Sequence, residues 1–412
     1  MTDPDSPETP DEKLIADLRV VDLCDPTAGR VAAAFTGKLL ADFGADVVKV
    51  EPPGGDALRR VGPFATRDPN PETSAAFLQY NTSKRGVTID IESRAGFWLL
   101  ESLLDSADVF LTDLQRAAWP PALIESVQRR GVSQALLVVA VTPFGLDGPE
   151  ADTPTTPLTV GHASGGAYNL VNVFGTSGGD PLPLAGRAFE ADAGLAAAVA
   201  TMAALHERRE SGIGQLIDVA ESEAIQSLDR VDNSVQINGP VMAGIPGGRD
   251  GMMACRDGFA IMVTGQAHQW RSMLELLGDP AWAFDEEGQL RSRPEIADHS
   301  REALRNWVGG RSKAEVYHAT QAEGVPTGPV LTPAEVLASE QEEALGFFEE
   351  IPHPVAGSWR YPGYSARFGD LRPSRSPAPT LGEHNAEILG PLLDASFGGG
   401  WGLAEARRAG VI

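Results

Sequence analysis

The chain is poor in cysteine and in lysine, and these scarcities limit the classes of protein it can belong to. Its 412 residues contain two cysteines, Cys24 and Cys255. Two are too few for a disulfide framework or a thiolate metal site, and they are compatible with a reducing compartment. The lysines are Lys13, Lys38, Lys49, Lys84 and Lys313. No apolar run approaches the roughly 20 residues of a membrane span, so we expect no membrane partner.

Positive charge is scarce as well. Lys and Arg number 33 against 57 Asp and Glu, which gives a formal net charge of −24. A nucleic-acid duplex or an anionic membrane surface repels such a chain, so we expect no nucleic-acid partner. Residues 1–13 (MTDPDSPETPDEK) are acidic and rich in proline, whereas a signal peptide needs basic and then apolar residues. We expect a solvated tail over 1–13 and a cytoplasmic protein.

Hydrophobic residues make up 42% of the chain, enough to fill the cores of the two or three domains that its length suggests. The pattern after the tail predicts a strand at Leu18–Cys24, a helix at Val31–Phe43 that Gly44 ends, and a second strand at Ala45–Glu51. These three elements form a βαβ unit, in which the two strands are parallel.

The alternation of strands and helices continues beyond the first unit. We predict strands at 85–91, 109–112 and 136–141, a turn and strand at 212–219, and helices at 94–106 and 191–208. The helix at 191–208 is apolar on most faces, so we expect it to be buried.

The character of the sequence changes after about residue 225. Residues 244–251 (GIPGGRDG) form a glycine-rich loop, 257–264 predict a hairpin strand, and 270–278 and 302–309 predict helices. The segment 324–330 (GVPTGPV) is dense in residues that break helices and strands. We therefore place a smaller domain at 226–329, followed by a helix that begins near Pro333.

No common nucleotide, hydrolase or zinc motif is present. The loop after the first strand, 25–30 (DPTAGR), lacks G-x-G-x-x-G, although Glu51 stands where a ribose-binding acid would. That loop is either a backbone cradle for another phosphorylated ligand or an ordinary turn. The histidines are scattered and give no metal site, and His162 is expected to be a packed or turn residue.

Two further features can be interpreted in more than one way. Three of the five lysines lie between residues 38 and 84, near Arg59, Arg60 and Arg85. They form either an anion-binding group or a salt-bridged surface.

Asp180, in the segment 175–183 (GTSGGDPLP), is either a turn residue or a covalent nucleophile.

An ordered set of motifs resembles the family III CoA-transferases, such as formyl-CoA and carnitine CoA-transferases, whose fold the acyl-CoA racemases share. The motifs run in family order over almost the whole chain after the tail. They are 39–56 (LLADFGADVVKVEPPGGD), 81–90 (NTSKRGVTID), Gly148-Pro149, Ser164-Gly165, 192–215 with its R-x-x-x-G-x-G-Q ending, 324–330 and 381–385 (LGEHN).

The resemblance implies an α/β fold. A large Rossmann-like domain is built from both chain ends, 14–225 and 330–412, and a small α+β domain, 226–329, is inserted between them. It also implies an interlocked homodimer. Coenzyme A, as a thioester substrate, would be held by the N-terminal unit without a metal. Thr27 and Ala28 occupy the family's CoA-contacting turn, and the expected phosphate neighbours are Arg59, Arg60, Lys84 and Arg85.

The resemblance also implies a reaction that moves CoA from an acyl-CoA to a carboxylic acid. Asp180 matches the family's nucleophile, which would form an aspartyl anhydride and then an aspartyl-CoA thioester. The family's glycine loop over the active site corresponds to Gly247 and Gly248. In this sequence the glycine after the nucleophile is missing, and the position of the racemases' catalytic histidine is Thr156.

Two alternatives stay open from the sequence. The first is racemisation or other α-proton chemistry on the same fold, through Glu190, Asp192 or His162. The second is an acyl-CoA-binding protein without catalytic activity.

Overall fold

The computed structural model describes residues 13–167, 185–228, 249–364, 366, 368–369, 375–396 and 401–412. Asp180, Gly247, Gly248 and the tail before residue 13 therefore lie outside the described residues. Packing divides the described chain into two units. The first holds the described residues within 1–166, 183–228 and 347–412, and the second holds those within 167–182 and 229–346.

The first unit contains a six-stranded parallel sheet. Its strands are β1 (Arg19–Leu23), β2 (Asp46–Glu51), β3 (Arg85–Thr88), β4 (Val109–Thr112), β5 (Leu137–Thr142) and β6 (Leu216–Ala220). Their order in the sheet is β3-β2-β1-β4-β5-β6, with every adjacent pair parallel. The central strands are buried on both faces, which explains why they appear in the sequence as continuous runs of valine and leucine.

Helices cover the sheet on both faces. The helices of this part of the chain are α1 (Ala32–Asp42), α2 (Ala75–Tyr80), α3 (Arg94–Leu104), α4 (Pro121–Ser133), α5 (Pro157–Ala163), α6 (Ala188–Ser211) and α7 (Glu221–Leu228). Helices α3 and α4 pack on one face of the sheet, and α1, α6 and α7 pack on the other. The predicted βαβ unit is confirmed, because β1 and β2 pair in parallel with α1 between them. Gly44 follows α1 with a φ of +109°, a conformation that favours glycine at a helix end. The α/β fold class is thus confirmed.

Helix α6 is longer than predicted, and one of its faces is not buried. Its alanine-rich face packs on α1, where Gly194 lies so close to Ala32 that a Cβ would approach the Ala32 carbonyl oxygen within 2.5 Å. The opposite face leaves Leu195 53% and Val199 63% exposed. The prediction of a helix buried all round is therefore wrong for this face, since only the small residues allow close helix packing. By length and composition α6 could also cross a membrane, a weak indication that core helices of soluble proteins share.

The C-terminal part of the first unit adds a hairpin and two short helices. Strands β10 (Phe348–His353) and β11 (Gly357–Pro362) pair antiparallel. The two helices, α13 (Gly390–Ser396) and α14 (Leu403–Arg408), follow them in the chain. Side chains near the chain end, among them Leu389 and Ala406, join the core on the α3 and α4 face of the sheet.

The second unit holds a three-stranded antiparallel sheet of β7 (Arg249–Cys255), β8 (Gly258–Val263) and β9 (Thr327–Val330). Its helices are α8 (Ala267–Leu276), α9 (Ala297–Gly309), α10 (Lys313–Ala322), α11 (Pro333–Leu337) and α12 (Glu340–Leu345). The predicted hairpin strand and helices are present.

The second unit extends past the boundary expected at 329. The ammonium group of Lys313 donates to the Val330 carbonyl oxygen at 3.3 Å and to Glu335 at 2.6 Å. These bonds attach the start of α11 to the second unit, so the breaker-rich segment 324–330 lies inside that unit rather than between the two.

Candidate active site

The strand order of the parallel sheet reverses between β1 and β4. In such sheets ligands bind in the crevice beyond the carboxyl ends of the strands at this point. The loop 25–30 leaves β1 there, Asp113 follows β4, and Glu51 ends β2. We refer to this side of the sheet as the carboxyl edge.

The tip of the loop after β1, at Thr27 and Ala28, faces outward. The Asp25 carboxylate accepts from the backbone N–H of Thr27 at 2.8 Å and from its hydroxyl at 2.7 Å, which closes a local turn. The backbone N–H of Asp25 donates to the Asp113 carboxylate, which anchors the loop to β4. As a result Thr27 is exposed and Ala28 half-buried at the carboxyl edge, where the resemblance expects CoA.

A second loop, 52–60, lies beside the first, and Glu51 holds it in place. The Glu51 carboxylate accepts two bonds from the Arg59 guanidinium, at 2.7 and 2.8 Å, and one from the backbone N–H of Asp56 at 3.0 Å. The backbone N–H of Ala57 donates to the Pro26 carbonyl oxygen at 3.0 Å. Because Glu51 is buried and bonded within the chain, it is not placed to bind a ribose.

The four predicted phosphate neighbours are not brought together. Arg59 is 1% exposed, bonded to Glu51 and Glu72, and stacked 3.7 Å from the Phe77 ring centroid. Arg60, by contrast, is exposed beside the loop after β1, with a bond to the Gly54 carbonyl oxygen.

Lys84 and Arg85 are also bonded within the chain. The Lys84 ammonium is buried and donates to Asp22 at 2.7 Å, the Ala34 carbonyl oxygen at 2.8 Å and Asn81 at 2.9 Å. Arg85 begins β3 and pairs with Asp46, at the start of β2, so it lies toward the amino ends of the strands. The expected single cationic group is thus dispersed, and contact with CoA phosphates stays a prediction.

Three buried carboxyl groups interact electrostatically near the carboxyl edge, and we call them the acid cluster: Asp113, Glu190 and Glu221. Burial raises the pKa of Asp113 to about 7. Burial, reinforced by the neighbouring Glu190, raises the pKa of Glu221 to about 8. One oxygen of Glu221 has no hydrogen-bond partner among the described residues. Arg30 and Arg187 are the cations that counter this cluster.

A cavity of about 270 Å³ opens beside the cluster, within the first unit. It is lined by Pro157, Leu158, Gly161, His162, Gly186, Arg187, Ala188, Phe189 and Glu190. The Glu190 carboxylate accepts the backbone N–H of Val31 at 2.8 Å and pairs with Arg187 at 3.2 Å. Arg187 has a φ of +61°, an uncommon conformation for a residue other than glycine, and such residues cluster at functional sites.

Helix α5 supplies the other wall of the cavity. Thr156 caps this helix, because its hydroxyl accepts the Thr159 backbone N–H and Thr159 bonds back to the Thr156 backbone. His162 is exposed on the last turn, with Nδ1 at 2.7 Å from the Leu158 carbonyl oxygen. His162 was expected to be a packed or turn residue, and of these two it is not packed, because it is exposed on the last turn of α5. No group of metal-binding side chains occurs in the part of the chain that is described.

The raised pKa of Glu221 predicts how stability depends on pH. The folded protein keeps a proton on Glu221 up to about pH 8, whereas the unfolded chain releases it near pH 4.5, so stability falls as pH rises between these values. In the parent, the free energy of unfolding should therefore decrease from pH 5 to pH 7. We expect this decrease to be roughly 2 kcal/mol smaller in Glu221→Gln, which has no carboxyl group to titrate. Urea unfolding at the two pH values measures this, with Glu223→Gln on the same helix as control. Equal pH dependence in both variants and the parent would contradict a protonated Glu221.

Sequence reasoning missed most of this site. Asp113 and Glu221 each follow a strand directly, which is the one local signal that could have placed them at the carboxyl edge. Arg187 gives no such signal, because it does not follow a strand and its bond to the Gly29 carbonyl oxygen joins residues far apart in the sequence.

Comparisons with known proteins show what the chain is similar to. The family model described as CoA-transferase family III matches residues 15–385. The chain is 32% identical to succinyl-CoA:(R)-benzylsuccinate CoA-transferase subunit BbsE of Thauera aromatica, over 86% of this chain and 90% of that protein. It is 28% identical to formyl-CoA:oxalate CoA-transferase of Streptomyces avermitilis, over 91% and 94%. A solved CaiB/BaiF family protein from Brucella suis superposes with a TM-score of 0.73 at 26% identity, covering 91% of this chain and 98% of that one.

Proposed function

This chain belongs to CoA-transferase family III and is an enzyme of that family, and from this premise we propose that it moves CoA from an acyl-CoA to a carboxylic acid through Asp180. The observation that carries the proposal is the family match over 15–385, which includes the loop after β1, the segment 81–90 and the Asp180 segment. The relatives named above are transferases whose two substrates are an acyl-CoA and an acid.

The proposed chemistry exchanges one acyl bond for another. The Asp180 carboxylate attacks the thioester carbonyl, which releases CoA thiolate and leaves a mixed anhydride. The thiolate then attacks the aspartyl carbonyl carbon, so that an aspartyl-CoA thioester forms and the first acid departs as a carboxylate. The incoming acid reverses these steps, and no oxidant or metal is needed.

The anhydride must be kept from water, which would hydrolyse it. We assign this task to the loop that contains Gly247 and Gly248, whose backbone N–H groups would also stabilise the oxyanion. Small residues suit this role because the backbone has to approach the reacting atoms closely.

The structure refines which residues we propose for CoA. Thr27, Ala28 and Arg60 reach the surface of the carboxyl edge, so they are the proposed direct contacts. Arg59 and Lys84 are proposed to position the loops that carry these contacts, because their N–H groups bond within the chain. For Arg85 the position near the amino ends of the strands supports a structural role.

We also propose the homodimer that the resemblance implies. The exposed apolar face of α6, with Leu195, Val199 and Met202, supports it because such a face is normally covered.

Racemisation is the less favoured alternative. It needs two opposed bases for the α-proton, yet Thr156 stands at the position of one of them and caps α5. Glu190, the candidate for the other, is bonded to Val31 and Arg187.

Trapping the intermediate tests the proposal directly. We expect incubation with acyl-CoA donors and hydroxylamine to give a hydroxamate on the peptide that contains Asp180, because hydroxylamine attacks the aspartyl carbonyl of both intermediates, the anhydride and the aspartyl-CoA thioester. Intact-mass and peptide mass spectrometry detect the adduct, and the Asp180→Asn variant is the control. An unmodified parent that exchanges the α-proton of an acyl-CoA for deuterium would establish the racemase alternative instead. An unmodified parent that binds CoA without turnover would indicate a binding role.

A further inference from the structure

The cavity beside the acid cluster is lined by a cationic side chain, Arg187, that has no role in the proposed transfer steps. We propose that Arg187 binds the second, unreacting carboxylate of a dicarboxylic acid, an inference that rests on the proposed CoA transfer to an acid. The site would make the enzyme selective for diacids over monoacids of the same length.

The Arg187 guanidinium is fixed by hydrogen bonds at one of its nitrogen atoms, Nη1. Its Nη1 atom donates to the Gly29 carbonyl oxygen at 2.7 Å and lies 3.2 Å from Glu190, while Nε and Nη2 have no partner among the described residues. The side chain is 25% exposed and lines the cavity. Two N–H groups on one edge of a fixed guanidinium match the geometry of a carboxylate.

The surrounding charges permit an anion in this cavity. Burial raises the pKa of Asp113 to about 7 and that of Glu221 to about 8, so the acid cluster is only partly ionised near neutral pH. Glu190 pairs with Arg187 through Nη1 only, which leaves the edge with Nε and Nη2 for the carboxylate of a diacid. The N-terminal end of α6, which begins at Ala188, adds a favourable dipole for an anion.

The size and lining of the cavity fit a small acid rather than CoA. Its volume is about 270 Å³, below the range of about 300–1,000 Å³ typical of pockets for drug-sized ligands. Leu158 and Phe189 supply apolar surface for the methylene groups of a diacid. Asp180 precedes Arg187 by seven residues, which limits their separation to at most about 25 Å.

The test compares glutarate with butyrate as acceptors for one acyl-CoA donor, in the parent and in Arg187→Gln. We expect the ratio of kcat/KM for glutarate over butyrate to fall on the order of 10- to 100-fold, mainly through KM, as for a lost charge-assisted bidentate contact. Arg187→Lys, which keeps the charge but not the fork, should fall in between. Arg209→Gln, at the exposed far end of α6, is the matched control and should keep the parental ratio.

A merely structural Arg187 would lower both rates together and leave the ratio unchanged, which would overturn the inference. Thermal unfolding of each variant shows whether it still folds. If Arg187→Gln does not fold, the kcat/KM ratio of Arg187→Lys is compared with that of the parent instead. If the parent transfers CoA to no acid, the proposed transfer fails by itself. Calorimetric titration of glutarate into the parent and Arg187→Gln then still decides: weaker binding by the variant supports the carboxylate site, and equal binding overturns it.

Discussion

Replacing Asp180 with alanine is expected to lower the rate of CoA transfer on the order of 10⁴-fold, the scale seen when a covalent nucleophile is removed. Asp180→Asn should lose as much, because an amide keeps the shape but cannot form the anhydride. Asp180→Glu should retain more activity, since it keeps the carboxylate but displaces it by about a bond length, and a shift of about 1 Å can cost on the order of 100-fold. Initial rates with a saturating acyl-CoA and acid measure all three variants.

The order of the three variants separates a nucleophile from a binding residue. Asp68→Asn, an exposed carboxylate elsewhere in the first unit, is the matched control and should transfer CoA as the parent does. Parental rates in Asp180→Ala would show that the reaction does not pass through this residue.

Replacing Lys84 with methionine is expected to reduce the free energy of unfolding by about 3–5 kcal/mol, the usual effect of breaking a buried ion pair from one side. Asp22 would then be left buried without its partner. Burial alone would raise the pKa of Asp22, yet the Lys84 and Lys49 charges hold that pKa below its usual value. Because Asp22 is fully ionised in the folded protein, the loss should be largest above pH 4. Denaturant unfolding at pH 7 measures it.

Two further variants test this explanation. Arg85→Met changes the next residue in the chain, whose ion pairs are partly exposed, and should cost at most about 1 kcal/mol. Lys84→Met combined with Asp22→Leu removes both charges and should recover much of the loss. A small effect of Lys84→Met alone, similar to that of Arg85→Met, would contradict a buried structural role for Lys84.

The first βαβ unit was predictable because its information is local. The valine run at 46–51, the helical period at 32–42 and the position of Gly44 each depend on neighbouring residues only. The exposed face of α6 was not predictable in the same way. Its apolar residues occur on most faces, and only the packing of its alanines against α1 decides which face is covered.

The sequence by itself determined the α/β alternation, the ordered motifs that place the chain in CoA-transferase family III, and Asp180 as the candidate nucleophile. Only the tertiary structure decided which charged side chains are buried and paired and which are exposed. It buried Lys84 against Asp22 and separated Arg60 from Arg85. It also assembled the acid cluster from Asp113, Glu190 and Glu221 and placed the cavity with Arg187 beside it. The physical reason is that element type follows from short-range periodicity. Burial, ion pairing and pKa depend on which distant segments the fold brings into contact.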